Sequence, residues 1–189
     1  MATALSKILK GYADLETAVR HQITDICAPH CSVCRSVCCR PEFCRENSDS
    51  PFLNLISAKS RPNKVYCAER GWLTASGCAL STGRPPVCYQ FNCNKILDAL
   101  PDAQHRYIFQ VLSNLIPHIG KRALGQRHLV EITDRTLLGK VKPERFCRRL
   151  DEARHALHVI QSFYKPEFKK ASSLAALSKI IPIPRLLVG

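Results

Sequence analysis

The sequence predicts a mainly α fold, a small helical domain with an irregular cysteine-rich metal-binding segment between an N-terminal helix and a C-terminal helical part. Three observations predict it. Apolar residues recur at three- and four-residue steps towards both ends of the chain. Between them, prolines and glycines break the period. In that same interval, Cys27 to Cys93, lie ten of the eleven cysteines, and only Cys147 falls outside. A length of 189 residues is enough for one domain with its own core. The reading is one domain over 1–189, in four parts: a helix in 1–26, the cysteine cluster in 27–94, a helical part in 95–165 and a tail in 166–189.

Residues 3–26 form the first predicted helix. Leu5, Ile8, Leu9, Tyr12, Leu15, Val19, Ile23 and Ile26 make its apolar stripe, with charge of both signs between them. A core-facing helix explains that pattern better than a membrane-surface one. Pro29 is expected to end it. Within the cysteine cluster, residues 51–57 read as a short helix and residues 64–67 as a short extended piece. Such a long irregular stretch is unusual in a compact domain, unless metal coordination replaces the missing ladders.

Ile96, Leu97 and Leu100 resume the helical pattern as a short turn. Pro101-Asp102 then opens a stronger helix carrying Tyr107, Ile108, Val111, Leu112 and Leu115, closed by Pro117 and Gly120. Residues 127–133 fit a strand or a helical turn equally. Pro143 is a good first-turn residue for a late helix that runs through Phe146, Leu150, Ala153, Leu157, Ile160 and Tyr164 to Pro166. Residues 174–181 read as a final helix, followed by a loosely docked end.

No apolar run approaches the ~20 residues that span a bilayer, and Lys7 and Lys10 interrupt what a signal peptide would keep apolar. The expected location is therefore cytoplasmic, where thiols stay reduced and dense cysteines mean metal or redox chemistry more often than disulfides. The formal net charge is +13. Metal-bound thiolates would lower it; the remaining excess fits an acidic protein, a nucleic acid or an anionic surface as partner, and fits an inert solvated surface at least as well.

The segment Cys31-x2-Cys34-x3-Cys38-Cys39 is a tight nest of thiols, and Cys67, Cys78, Cys88 and Cys93 supply a second set. An x2 spacing lets two sulfurs grip one ion. Adjacent side chains diverge, so Cys38 and Cys39 imply either one ligand and a spare thiol or a site with more than one metal atom. Sulfur ligation suits zinc or iron, including an iron–sulfur cluster. The expected metal ligands are Cys31, Cys34, Cys38, Cys39, Cys67, Cys78, Cys88 and Cys93, with Cys27 and Cys44 as secondary candidates.

These residues carry a resemblance. The pattern C-x2-C-x3-C-C, a wide gap, then G-C-x5-R-P-x2-C-x4-C resembles the zinc- or iron-chelating domain family of YkgJ-like cysteine-cluster proteins. It rests on Cys31, Cys34, Cys38, Cys39, Cys67, Cys78, Arg84-Pro85, Cys88 and Cys93 and covers about residues 27–94. The chain departs from it in having three residues before the cysteine pair where two are expected, and in Cys44, which leaves open which of Cys34, Cys38 and Cys39 are ligands. The resemblance implies metal chelation with an undefined biochemical role. Arg84 reads either as a cation that offsets thiolate charge or as an ordinary turn residue before Pro85-Pro86.

Enzyme readings compete with this one. Cys27-x3-Cys31-x2-Cys34 matches the cluster spacing of radical S-adenosylmethionine enzymes, but a helix precedes it and strands do not alternate with helices as a barrel requires. A likeness to flagellin lysine N-methylases meets the absence of a Gly-rich nucleotide loop. His30, beside Cys31, is the one histidine positioned as a ligand, although a lone histidine there is more often a turn residue. His155 and His158 lie one turn apart on the late helix, which allows a metal clip but more often means a solvated face. For nucleic acid, Arg145, Arg148 and Arg149 share the exposed side of that helix, joined by Lys121, Arg122, Arg127, Lys140, Lys142, Arg154, Lys169 and Lys170.

Overall fold

A computed structural model describes residues 3–33, 40–58, 66–74, 77–163 and 170–184. The fold is mainly helical, as the apolar periodicity predicts. Helix α1 (Ala4–Cys31) begins at Thr3, whose hydroxyl accepts the Ser6 amide. It then packs against α6 (Ala103–Gly120) and α7 (Pro143–Ser162), and these two also pack on each other. Their shared interior holds Tyr12, Leu15 and Val19 of α1, Leu112, Leu115 and Ile116 of α6, and Ala153, Ala156 and Ile160 of α7. Ala153 and Ala156, one turn apart on α7, let the helices approach closely there, and burial of the aliphatic groups stabilises the contact by about 25 cal/mol per Å². Helix α8 (Lys170–Ser178) lies on α7.

One expected helix end moves. Helix α1 runs through Pro29 and stops at Cys31. Pro29 stands close to the helix end and deprives only the carbonyl of exposed Asp25 of a helical donor, a loss that water can offset. Helix α6 starts where Asp102 accepts the His105 amide and closes at Gly120 as expected, with Pro117 inside its last turn.

The middle of the chain is more ordered than its lost period implies. Helix α2 (Pro41–Asp49), which periodicity does not reveal, starts with proline in its first turn. Helix α3 spans Pro51–Ser57 as expected, and the Ser50 hydroxyl accepts its Leu53 amide. Strands β1 (Leu73–Thr74) and β2 (Gly77–Cys78) pair antiparallel, with Leu73 opposite Cys78. Helices α4 (Val87–Gln90) and α5 (Asn94–Ala99) follow. Cys67 forms a bridge with Gly71, and residues 64 and 65 of the expected extended piece lie outside the described residues. The undecided stretch 127–133 contains a 3₁₀ turn, Leu129–Glu131, and a second spans Arg135–Lys140. Among the described residues the only strands are β1 and β2, so no α/β barrel is formed there. No described helix is long and apolar enough to cross a membrane.

Candidate metal centre

The cysteine region is held to the helical frame by one buried carboxylate. Glu16 sits one turn after Tyr12 on the core-facing side of α1 and is fully buried. Its Oε2 accepts the Gly83 amide at 2.7 Å, and its Oε1 accepts the Arg84 amide at 2.8 Å and the Tyr89 hydroxyl at 2.7 Å. Burial pushes its pKa up, against the opposing pull of the three hydrogen bonds and the Arg84 charge. From α2, buried Asn47 donates through Nδ2 to the Gly83 carbonyl at 2.6 Å. Gly83 has φ of +77°, and a Cβ there would stand 2.8 Å from the Leu53 carbonyl oxygen. Only glycine meets both conditions without strain.

This clamp places the turn that leads into α4 beside a cavity of about 350 Å³. Six cysteines line it: Cys27 and Cys31 from the last turns of α1, Cys44 from α2, Cys78 from β2, Cys88 from α4, and Cys93 at the start of α5. Cys27 and Cys31 share one face of α1 because they are four residues apart. Cys44 and Cys78 also belong to a small satellite core with Trp72 and Leu80. Arg40, Phe43 and Phe91 form part of the wall, with the Arg40 guanidinium 5.7 Å from the Phe91 ring centre and the two phenyl rings 6.0 Å apart.

Arg84 lines the same cavity, half-buried, with Nε donating to the Leu80 carbonyl at 2.8 Å. Its charge lowers the pKa of Cys44, which burial, the largest influence, raises. Cys27 is pushed up to about 11, chiefly by burial and then by Cys31 and Cys93. Protons therefore hold this thiol at neutral pH until a cation displaces them.

Of the expected ligands, the cavity gathers Cys31, Cys78, Cys88 and Cys93, together with the secondary candidates Cys27 and Cys44. Cys67 does not line it. It occupies its own turn, where the backbone N–H groups of Glu69 and Arg70 donate to its sulfur and hold its pKa below the usual thiol range. Cys34, Cys38 and Cys39 lie outside the described residues. Among the described residues, no three His, Cys, Asp or Glu side chains converge closely enough to hold one ion. The donor chemistry nevertheless fits a soft or borderline metal, since six cysteines line a single space, with Arg40 and Arg84 in the same wall.

His30 is half-buried and does not line the cavity, and His155 and His158 are exposed on α7. Sequence reasoning passed over Glu16 and Asn47. The available signal was a carboxylate in the apolar stripe of α1, since a buried charge there requires partners. Comparison with protein-family models, with curated proteins and with solved structures found no match.

Proposed function

We propose that this chain is a metal-binding cysteine-cluster protein that holds zinc or iron, as ions or as an iron–sulfur cluster, in the thiol-lined cavity. One observation carries the reading: six cysteines from five separate elements line one space of about 350 Å³, although the first and the last, Cys27 and Cys93, are 66 positions apart. Chance burial of small thiols would scatter them among unrelated contacts. The likeness of the spacing to the YkgJ-like zinc- or iron-chelating family supports the same reading.

In this proposal the ligands come from Cys27, Cys31, Cys44, Cys78, Cys88 and Cys93, and from Cys34, Cys38 and Cys39. Cys67 acts outside the centre. Arg84 offsets the negative charge that bound thiolates bring. The metal supplies cross-linking between α1 and the segment from α2 to α5, so its binding adds to folding stability. A reducing compartment such as the cytoplasm would keep the thiols ready for it.

Elemental analysis with a visible absorption spectrum, on protein purified without oxygen, tests the reading. Iron with sulfide and a broad band near ~400 nm identifies a cluster, and zinc in a colourless protein identifies a chelate. Protein that carries neither metal, and takes up neither on reconstitution, defeats the proposal.

A further inference from the structure

A second cavity, on the opposite functional theme, lies where the end of α6, the loop after it, α7 and the end of α8 meet. Its volume is about 480 Å³. Lys121 and Arg122 reach its lining from the loop, Arg149 from α7, and Lys179 from just beyond α8. We propose that it is an oxyanion site that takes the phosphate groups of a small phosphorylated ligand, with these four cations as its donors.

Charge balance is the first argument. Glu131 is the one carboxylate in the lining, and it already accepts the His128 amide at 2.6 Å in a capping arrangement. Nearby Glu152 is taken by His118 Nε2 at 2.8 Å. Among the described residues, none of the four cations has a carboxylate within ion-pair distance. Like charges brought to one concavity without counter-ions repel, and the structure tolerates that most readily if an anion is bound.

The two histidines are walls and not charges. His128 donates through Nε2 to the Pro117 carbonyl at 2.9 Å and accepts the Val130 amide at Nδ1, which fixes a neutral tautomer. Burial holds both His118 and His128 below the usual histidine range. The positive charge thus comes from permanent cations. Two carbonyls of the last turn of α6, which would repel an anion, already accept a hydrogen bond: Pro117 from His128 at 2.9 Å, and His118 from the Lys121 amide at 3.3 Å.

The backbone at Arg122 and the crowding of cations point the same way. Arg122 has φ of +50°, in the left-handed region that non-glycine residues seldom adopt, and Arg145 Nη1 braces its carbonyl at 3.0 Å. Arg149 is held below the usual guanidinium value by burial first, and then by Arg145, Arg148 and Arg122. Guanidinium and ammonium groups from several segments meet at one concavity, where a line along one face would suit a polymer backbone.

Titration calorimetry of the full chain with inorganic pyrophosphate tests this. Saturable one-to-one binding is expected. It should weaken on the order of tenfold or more in Lys121→Gln/Lys179→Gln, whose exposed side chains can change without disturbing the core. Arg149→Gln should weaken it likewise. Lys7→Gln/Lys95→Gln removes the same charge away from the cavity and should leave binding unchanged. No saturable binding at millimolar pyrophosphate overturns the proposal, as does equal weakening in the pocket and control variants. Binding to vesicles containing phosphatidic acid, without binding to pyrophosphate, would assign the patch to a membrane surface and overturn it too. None of these outcomes depends on the metal content of the other site.

Discussion

The Gly83 amide donates to Glu16 Oε2 at 2.7 Å, across 67 positions of sequence. This bond ties the middle of α1 to the turn that carries Arg84 and, four residues later, Cys88. The same helix carries Cys27 and Cys31 about 16 Å and about 22 Å further along its axis. One rigid element therefore sets the position of thiols at both sides of the cavity. Asn47 holds the opposite side of the Gly83 peptide unit, so α2 and its Cys44 are registered to the same turn.

Glu16→Gln keeps the side-chain shape but replaces one acceptor oxygen with a donor facing N–H groups. We expect a loss of about 1–3 kcal/mol, read as a melting temperature lower by several degrees. Glu16→Ala leaves three buried donors without an acceptor and should cost more. Unchanged melting in both variants would remove the clamp from this account.

Gly83→Ala places a Cβ against the Leu53 carbonyl in a left-handed backbone conformation. A loss of at least about 2 kcal/mol is expected in chemical denaturation. A loss no larger than that of an exposed helical substitution would show that the turn relaxes freely.

If the proposed metal centre occupies the cavity, cysteines inside and outside it should differ in their effect on metal content. Cys27→Ser, Cys44→Ser and Cys88→Ser should each lower bound metal and thermal stability together, whereas Cys67→Ser should spare both. Parallel elemental analysis and melting of the four variants check this. Loss of metal from the Cys67 variant alone would reverse the assignment.

Thiol chemistry should follow the same division. Cys67 is held below the usual range and Cys27 is pushed up to about 11, so a limiting alkylating agent at neutral pH should label Cys67 well before Cys27 in metal-free protein. Peptide mass mapping over time reads the order. Metal uptake at Cys27 needs a proton to leave, so apparent affinity should rise with pH across the neutral range.

Alkaline conditions should destabilise the fold. Burial raises the phenols of Tyr12 and Tyr89 and the thiol of Cys27 above their values in an unfolded chain. As pH rises through the unfolded values, about 8.5 for cysteine and 10 for tyrosine, the unfolded state releases protons first. Stability contributed below those values is then lost on the way to the native ones. Melting curves at neutral and strongly alkaline pH check the sign, with tyrosinate absorbance from these two residues appearing only with unfolding.

The helical frame could be read from the chain because each long helix buries a stripe that repeats at its own period. Leu112 and Leu115 mark α6 whatever they pack against, and Asp102 and Pro143 mark where α6 and α7 start. Helix α2 escaped because its few apolar side chains, with only Cys44 and Asn47 buried, make no stripe. Pro29 misled in the other direction, since a proline near a helix end removes a single hydrogen bond and need not stop the helix.

Spacing alone showed that ten thiols crowd one segment, and it pointed to Cys31, Cys34, Cys38, Cys39, Cys67, Cys78, Cys88 and Cys93 as the expected ligands. Tertiary structure decided which described sulfurs share a space: it brought Cys27 and Cys44 to the cavity and set Cys67 in a separate turn. It also joined Lys121 and Arg122 to Arg149 and Lys179. The physical reason is that periodicity reports only which side of an element turns inward. Which distant groups meet is settled by long-range contacts such as that of Glu16 with Gly83, whose partners carry no mark of each other in sequence.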